Sequence, residues 1–183
     1  MLYTRKGDKG TTKTFGCDQR ISKSSAIAEA LGTLDEINSF LGLAKVKAHL
    51  TQLQFNSAKI GDMIHEVQKN LFIIQAEVAG ADKTIIEQKI KDLESIIDLI
   101  ERELPPIKSF LISGGTELTA VFDFSRTLAR RAERRVVQVF EEGIVKVGSN
   151  TLAYLNRLSS LLYALARYSN WKSGIIEDKP DYK

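Results

Sequence analysis

Apolar residues return every three or four positions through most of this chain, the signature of helices with one buried face. From about Ser25 to Ala48 the spacing is kept by Ile27, Leu31, Leu34, Leu41 and Ala44, with Ser25 suited to cap the first turn. Gly32 and Gly42 leave room there for a close neighbour. A second run, about Ser57 to Ala79, places Ile60, Ile64, Val67, Leu71, Ile74 and Val78 in register. A third, about Ile85 to Glu103, carries Ile86, Ile90, Leu93, Ile97 and Ile100 behind a Thr84 cap, and Pro105-Pro106 stops it. A fourth runs from a Thr116 cap to about Glu142 and closes at Gly143. The fifth, from near Ser149 to about Lys172, has Leu152, Leu155, Leu158, Leu162, Leu165 and Ala166 on one side. No pair of strands is evident. The pattern predicts an all-α fold, a five-helix bundle, mostly antiparallel because the connections are short.

Residues 1–24 and 173–183 fall outside this periodicity. The chain therefore reads as a single domain over 1–183: an N-terminal loop, a helical bundle over 25–172 and a loose polar tail. The loop carries Gly7, Gly10 and Gly16 among Lys, Thr and Asp, a composition that could wrap an anion with amides and hydroxyls. Its stretch Thr4-Arg5-Lys6-Gly7-Asp8-Lys9-Gly10-Thr11-Thr12 lacks the Gly-Lys-Ser/Thr ending of a Walker A loop. A floppy polar terminus would have the same composition.

The fourth helix concentrates positive charge in SRTLARRAERRVV, Ser125 to Val137. Arg126, Arg130 and Arg134 follow at i, i+4 on one stripe, and Arg131 and Arg135 continue round the polar side. Leu128, Ala132, Val136 and Val139 take the opposite side as the core face. Glu133, one turn from Arg130, is placed to orient a guanidinium. Such an array suits phosphate oxygens; a solvated helix face has the same pattern.

Other polar residues interrupt apolar faces. Asp35, Glu36 and Asn38 break the first helix, as surface residues or as partners for the arginines, within the chain or across a subunit boundary. Asn156 and Arg157 break the fifth, beside a stripe of Ser160, Tyr163 and Arg167. Asp62 and His65 superficially resemble a metal-binding helix, yet no second Glu-x-x-His copy faces them, so they read as surface residues. Phe110, alone in a short apolar run before Gly114-Gly115, reads first as a core plug.

Composition narrows the partners. The chain is 43% hydrophobic and 27% charged, with a net charge of +3, too small for general nucleic-acid binding. Cys17 is the single cysteine, which excludes an intrachain disulfide and fits a reducing compartment. No apolar run approaches the roughly 20 residues of a membrane span, and two histidines with one cysteine disfavour a soft-ligand metal site. A cytoplasmic protein is expected, with neither nucleic acid nor membrane as partner.

Three separated blocks, YTRKGDKGTT with RISK, SRTLARRAERRVV, and NRLSSLLYALARY, together resemble the PduO-type ATP:cob(I)alamin adenosyltransferases, and GTLDEINSFLG is similar to that family's first helix. The resemblance runs from about Tyr3 to Trp171. It implies a homotrimer with active sites between subunits, ATP and a reduced cobalamin as substrates, and Mg2+ with the nucleotide. It also implies transfer of the 5′-deoxyadenosyl group to cobalt(I), with a cobalamin reductase and an adenosylcobalamin-dependent enzyme as possible partners. The same resemblance assigns the loop residues Thr4, Arg5, Lys6, Gly7, Asp8, Gly10, Thr11 and Thr12, with Lys23, to the triphosphate. It assigns Arg130, Arg131, Glu133, Arg134 and Asn156 to the nucleotide, and Arg126 with Asp35 to a pair joining adjacent subunits. It gives Phe110 the displacement of the corrinoid's lower axial base. Two departures touch corrinoid handling: Ser113 where the family commonly has Pro before Gly-Gly, and Ser160 where it commonly has Asp. Taken without the resemblance, the arginine helix also fits an anion- or nucleic-acid-binding module, or a surface for subunit assembly.

Overall fold

The computed structural model describes residues 3–14 and 20–182, so Gly16 and Cys17 lie outside the described residues. Five helices form in it: α1 (Ala26–Leu50), α2 (Ile60–Val78), α3 (Glu87–Glu103), α4 (Glu117–Glu142) and α5 (Ser149–Lys172). The all-α bundle is therefore as the periodicity predicts. Side-chain pairs give the helix directions. Lys47–Glu117, Glu36–Arg131 and Glu29–Arg135 run antiparallel between α1 and α4. Glu133–Asn156 and Thr119–Asn170 do the same between α4 and α5. Helix α3 lies parallel to α5, as Ile85–Asn150, Glu94–Arg157 and Glu103–Lys172 show. Among the five helices, the register residues of α2, and Leu128, Ala132, Val136 and Val139 of α4, are buried in one core.

The ends of the elements follow local chemistry. Ser25 caps α1 by accepting from the Ala28 amide, and Thr116 caps α4 by accepting from that of Thr119. Gly143 ends α4 in the left-handed conformation at φ 65°. Three expectations fail. Residues 57–59 do not begin the second helix; with 54–56 they form a hairpin, β3 (Gln54–Phe55) with β4 (Ala58–Lys59), turning on Asn56 and Ser57 at φ 47° and 65°. Positive φ at both central residues is the type I′ signature, which helical periodicity cannot reveal. Phe55 from this hairpin packs edge-on against Tyr168 at 5.3 Å. Second, Thr84 does not cap α3, which starts at Glu87 behind Ile86, and Ile86 is exposed. Third, the segment after Lys172 is tied down: Glu177 pairs with buried Arg167, and the Asp178 carbonyl accepts from the Ile112 amide at 2.9 Å.

Thr84 is used elsewhere. Its hydroxyl donates to the Glu77 carboxylate at 3.2 Å, which also accepts from the Gly148 amide at 2.8 Å and from the Thr151 hydroxyl. Gly148 is the N-cap of α5 and has no side chain to cap with. A buried acid from α2 thus satisfies the free amide at the start of α5, where the helix dipole also favours negative charge. Glu77→Ala should lower the unfolding free energy by about 2–4 kcal/mol, since it strands a buried amide and two hydroxyls. Denaturant titration reads this as a lower midpoint at unchanged slope, and Glu77→Gln should lose less; equal midpoints for all three proteins would rule out the capping role.

Candidate functional site

The five arginines of α4 divide by partner. Arg131 is engaged by Glu36, and Arg135 lies 3.5 Å from Glu29, so both help to fasten α4 to α1. Arg126 is half-buried, with its guanidinium 5.8 Å from the centre of the Tyr163 ring and its Nε lacking a hydrogen-bond partner among the described residues. Arg130 and Arg134 are exposed, with no acid within ion-pair distance among the described residues. Glu133 does not orient an arginine. Its carboxylate instead accepts from Asn156 Nδ2 at 3.0 Å, while Asn156 Oδ1 accepts from Arg157 at 2.6 Å. Arg157 Nε in turn donates to Glu94 of α3 at 2.8 Å. This chain of bonds fixes which way the Asn156 amide faces.

One turn and more towards the start of α4, the helices open into a cleft of about 610 Å³. Its walls are Arg126 and Arg130 with Asp123 on α4, Ser160 and Tyr163 on α5, and the irregular segment 107–113. Phe110 lines it and is 81% exposed, so it is no core plug. The segment that carries it is pinned at Gly114, whose amide donates to Asp123 Oδ2 at 2.8 Å and whose carbonyl accepts from Asn170 Nδ2 at 2.9 Å. Gly114 and Gly115 have φ of 106° and 125°, and a Cβ at Gly115 would collide with the Asn170 amide. Only glycine fits there. Burial pushes the Asp123 carboxyl above its ordinary value, against the opposing pull of the Gly114 amide and Arg126. Tyr163 is likewise raised by burial.

The N-terminal segment is less irregular than its composition predicts. Strand β1 (Thr11–Lys13) pairs antiparallel with β2 (Arg20–Ser22), and Ile21 of β2 packs on the core. Arg20 staples the loop, donating to the Thr11 hydroxyl at 2.8 Å, to the Thr11 carbonyl at 2.7 Å and to the Lys6 carbonyl. The Lys23 amide donates to the Gly10 carbonyl at 2.9 Å, and a Cβ at Gly7 would come within 3.1 Å of Lys23 Nζ. The structure thus brings Thr4–Thr12 and Lys23 together as one unit. Among the described residues, the hydrogen bonds of Thr4–Thr12 stay within this unit and do not reach α4. The α1–α4 ion pairs place the loop at the Arg135 end of α4, whereas the cleft lies at the Asp123 end, with Arg130 between. Asp35 is exposed on α1, and among the described residues it forms no ion pair with Arg126.

Asp123, Asn170 and Arg20 are functional positions that the spacing of motifs does not mark. Asn170 had a signal: it lies one turn beyond Ala166 on the apolar side of α5, and a polar residue on a core face needs a partner. Arg20 falls in the RISK block without a role of its own there, and Asp123 carries no signal, because their partners are backbone groups of remote loops.

The family model for cobalamin adenosyltransferases matches residues 2–169. A corrinoid adenosyltransferase of Bacillus subtilis is 37% identical over 181 residues, covering 95% of this chain and 89% of the relative. The corrinoid adenosyltransferase PduO of Citrobacter freundii is 39% identical over 91% of this chain, which spans about half (49%) of that relative's length. A variant PduO-type ATP:corrinoid adenosyltransferase from Lactobacillus reuteri, solved with cobalamin and ATP, superposes with a TM-score of 0.87 at 30% identity, covering 100% of this chain and 97% of the other. The chain belongs to the cobalamin adenosyltransferase family. No described helix is long and apolar enough to cross a membrane.

Because burial raises Asp123, the folded protein holds this proton more tightly than the unfolded chain does. Well below the ordinary carboxyl value of about 3.9 both states are protonated and the group adds no slope. As pH rises from there through the raised folded value, the unfolded state releases its proton first, so stability falls and then levels off. Asp123→Asn removes that loss. Calorimetry should show its Tm advantage over the parent absent near pH 3 and growing as pH rises above about 4; an offset independent of pH would contradict the assignment.

Proposed function

We propose that the protein transfers the 5′-deoxyadenosyl group of ATP to cobalt(I) of a reduced corrinoid, forming adenosylcobalamin and releasing triphosphate, at sites between subunits of a trimer. The observation that carries this reading is Arg130. It lines the same cleft as Phe110 and belongs to the uncommitted part of the arginine stripe, one turn from the Glu133–Asn156 pair. A single exposed guanidinium thus joins an aromatic-lined cleft, of a size usual for small-molecule sites, to a platform for phosphates. The related enzyme solved with cobalamin and ATP together supports the same two ligands here.

The chemistry suits this inventory. Cobalt(I) supplies the electron pair for the new cobalt–carbon bond to C5′, and the C5′–oxygen bond breaks with its electrons leaving on the triphosphate. No side chain has to act as nucleophile; the chain supplies position and electrostatics. Negative charge growing on the triphosphate would meet Arg130, Arg134, Lys23 and the amides of the Thr4–Thr12 loop. Asp8, Thr11 and Thr12 offer the hard oxygen donors magnesium takes. When bound with the nucleotide, that ion supplies further neutralisation of the phosphates. Phe110, held out of the core, is available to fill the lower face of a corrinoid and keep its axial base off the metal. That makes reduction from cobalt(II) easier for a reductase partner; an adenosylcobalamin-dependent enzyme would consume the product.

The trimer accounts for what one chain leaves open. Among the described residues Asp35 is exposed with no ion-pair partner, the Arg126 Nε is buried without a hydrogen-bond partner, and the loop and the cleft sit towards opposite ends of α4. A neighbouring copy would bring Asp35 to Arg126 and a loop to the stripe.

Mixed anaerobically with chemically reduced cobalamin, ATP and magnesium, the protein should sediment as a trimer of 20.4 kDa chains and yield the light-sensitive spectrum of adenosylcobalamin. A folded, ATP-binding protein that forms no product would overturn the reading. Arg130→Ala should weaken ATP binding and slow turnover on the order of 10²–10³-fold, whereas Phe110→Ala should slow turnover and leave ATP affinity within about twofold. Near-normal kinetics for Arg130→Ala would remove it from the site.

A further inference from the structure

Phe110 lies in a stretch without regular structure and is 81% exposed, so burial does not hold its ring in place. Its direction must come from the backbone on either side. The nearest attachment is the Ile112 amide on the Asp178 carbonyl of the C-terminal segment, at 2.9 Å. The attachment that takes both backbone groups is at Gly114, four residues on from Phe110, at most about 14 Å of chain. There both groups of the Gly114 backbone are taken by side chains from two different helices, Asp123 of α4 at 2.8 Å and Asn170 of α5 at 2.9 Å. Both side chains are buried, Asp123 at 9% exposure and Asn170 at 4%.

This attachment belongs to a larger buried network. Asn170 Oδ1 accepts from the Thr119 hydroxyl at 2.7 Å, the Thr119 and Thr116 hydroxyls are 2.8 Å apart, and Thr116 is also 3.3 Å from the Ser169 hydroxyl. Thr116 is the N-cap of α4, so the loop is bonded to the same groups that begin the arginine helix. Satisfied buried networks are rigid and respond as a unit when one member is removed. Ser113 precedes the attachment, where a proline would have fixed φ through its own ring. In this chain the fixing is done by hydrogen bonds.

We infer that Asp123 and Asn170 are positioning residues for the reaction: by gripping the Gly114 backbone from both sides, they set Phe110 at the corrinoid cleft without touching the nucleotide. This rests on the corrinoid reading of the cleft, and the test separates the two. The full chain carrying 4-fluorophenylalanine at position 110 should give a single fluorine resonance. Asp123→Ala and Asn170→Ala should each shift it towards the solvent value or split it. Asp123→Asn, which keeps an oxygen for the Gly114 amide, should restore the parent spectrum. In turnover, the two alanine variants should lose at least tenfold in kcat with cobalamin while KM for ATP stays within twofold. With cobinamide, which has no lower base to displace, the loss should be less than threefold.

An unchanged fluorine spectrum in both alanine variants overturns the positioning role whatever the protein's activity. A changed spectrum with unaltered cobalamin turnover overturns its part in the reaction, as does an equal loss with both corrinoids. Should Asn170→Ala fail to fold, Asp123→Ala, whose carboxylate lies at the edge of the network, carries the same readouts. A parent protein that adenosylates neither corrinoid counts against the proposed activity, and the fluorine spectra still decide the positioning role.

Discussion

Along the α4–α5 seam two hydrogen-bonded side-chain pairs bracket a stretch packed mostly on apolar residues. Asn170 meets Thr119 at one end and Asn156 meets Glu133 at the other. Because the two helices are antiparallel, these contacts lie 14 residues apart on each helix, about four turns, and they obey one register: a slip of one residue on either helix would rotate its face by about 100° and break both. Whereas the Thr4–Thr12 loop, Lys23 and Asp35 come from α1 and the segment before it, the cleft side of the proposed site is hung on this pair of helices. Arg126, Arg130 and Arg134 come from one, Asn156 and Tyr163 from the other, and the Phe110 segment is bonded to both.

Interactions between polar groups do a second job, which is to hold irregular backbone where no secondary structure can. Glu77 serves the start of α5, Arg20 the N-terminal loop, and Asp123 with Asn170 the glycine pair beyond Phe110. Each case joins a side chain to backbone groups that would otherwise be left unpaired, and such groups are costly to bury. The result is a rigid bundle that presents two loops of defined shape. Preorganisation of this kind suits the proposed reaction, in which the metal of the substrate, rather than a side chain, performs the attack.

The division among the arginines also bears on the rival readings of α4. A continuous stripe of five free guanidinium groups would suit a nucleic-acid backbone. Here Arg131 and Arg135 are engaged by Glu36 and Glu29 of α1, which leaves Arg130 and Arg134 as a short, localised patch next to a cleft. That geometry favours one compact polyphosphate over an extended polymer.

By itself the sequence determined the five helices, their apolar faces, the Ser25 and Thr116 caps and the Gly143 stop, because these depend on local spacing and on the conformational tastes of single residues. It also marked Arg130, Asn156 and Phe110 as candidates, through the order of motifs along the chain. Only the tertiary structure decided which arginines are already paired, that Glu133 serves Asn156, and that Thr84 serves Glu77 instead of capping α3. The pairing of Thr11–Lys13 with Arg20–Ser22 and the hairpin at 54–59 were likewise invisible, since the strands are too short for a period-two signal and depend on positive φ at Asn56 and Ser57 or on the Arg20 staple. The same holds for Asp123 and Asn170: what makes them matter is a glycine backbone brought to them by folding, and no spacing along the chain encodes that meeting.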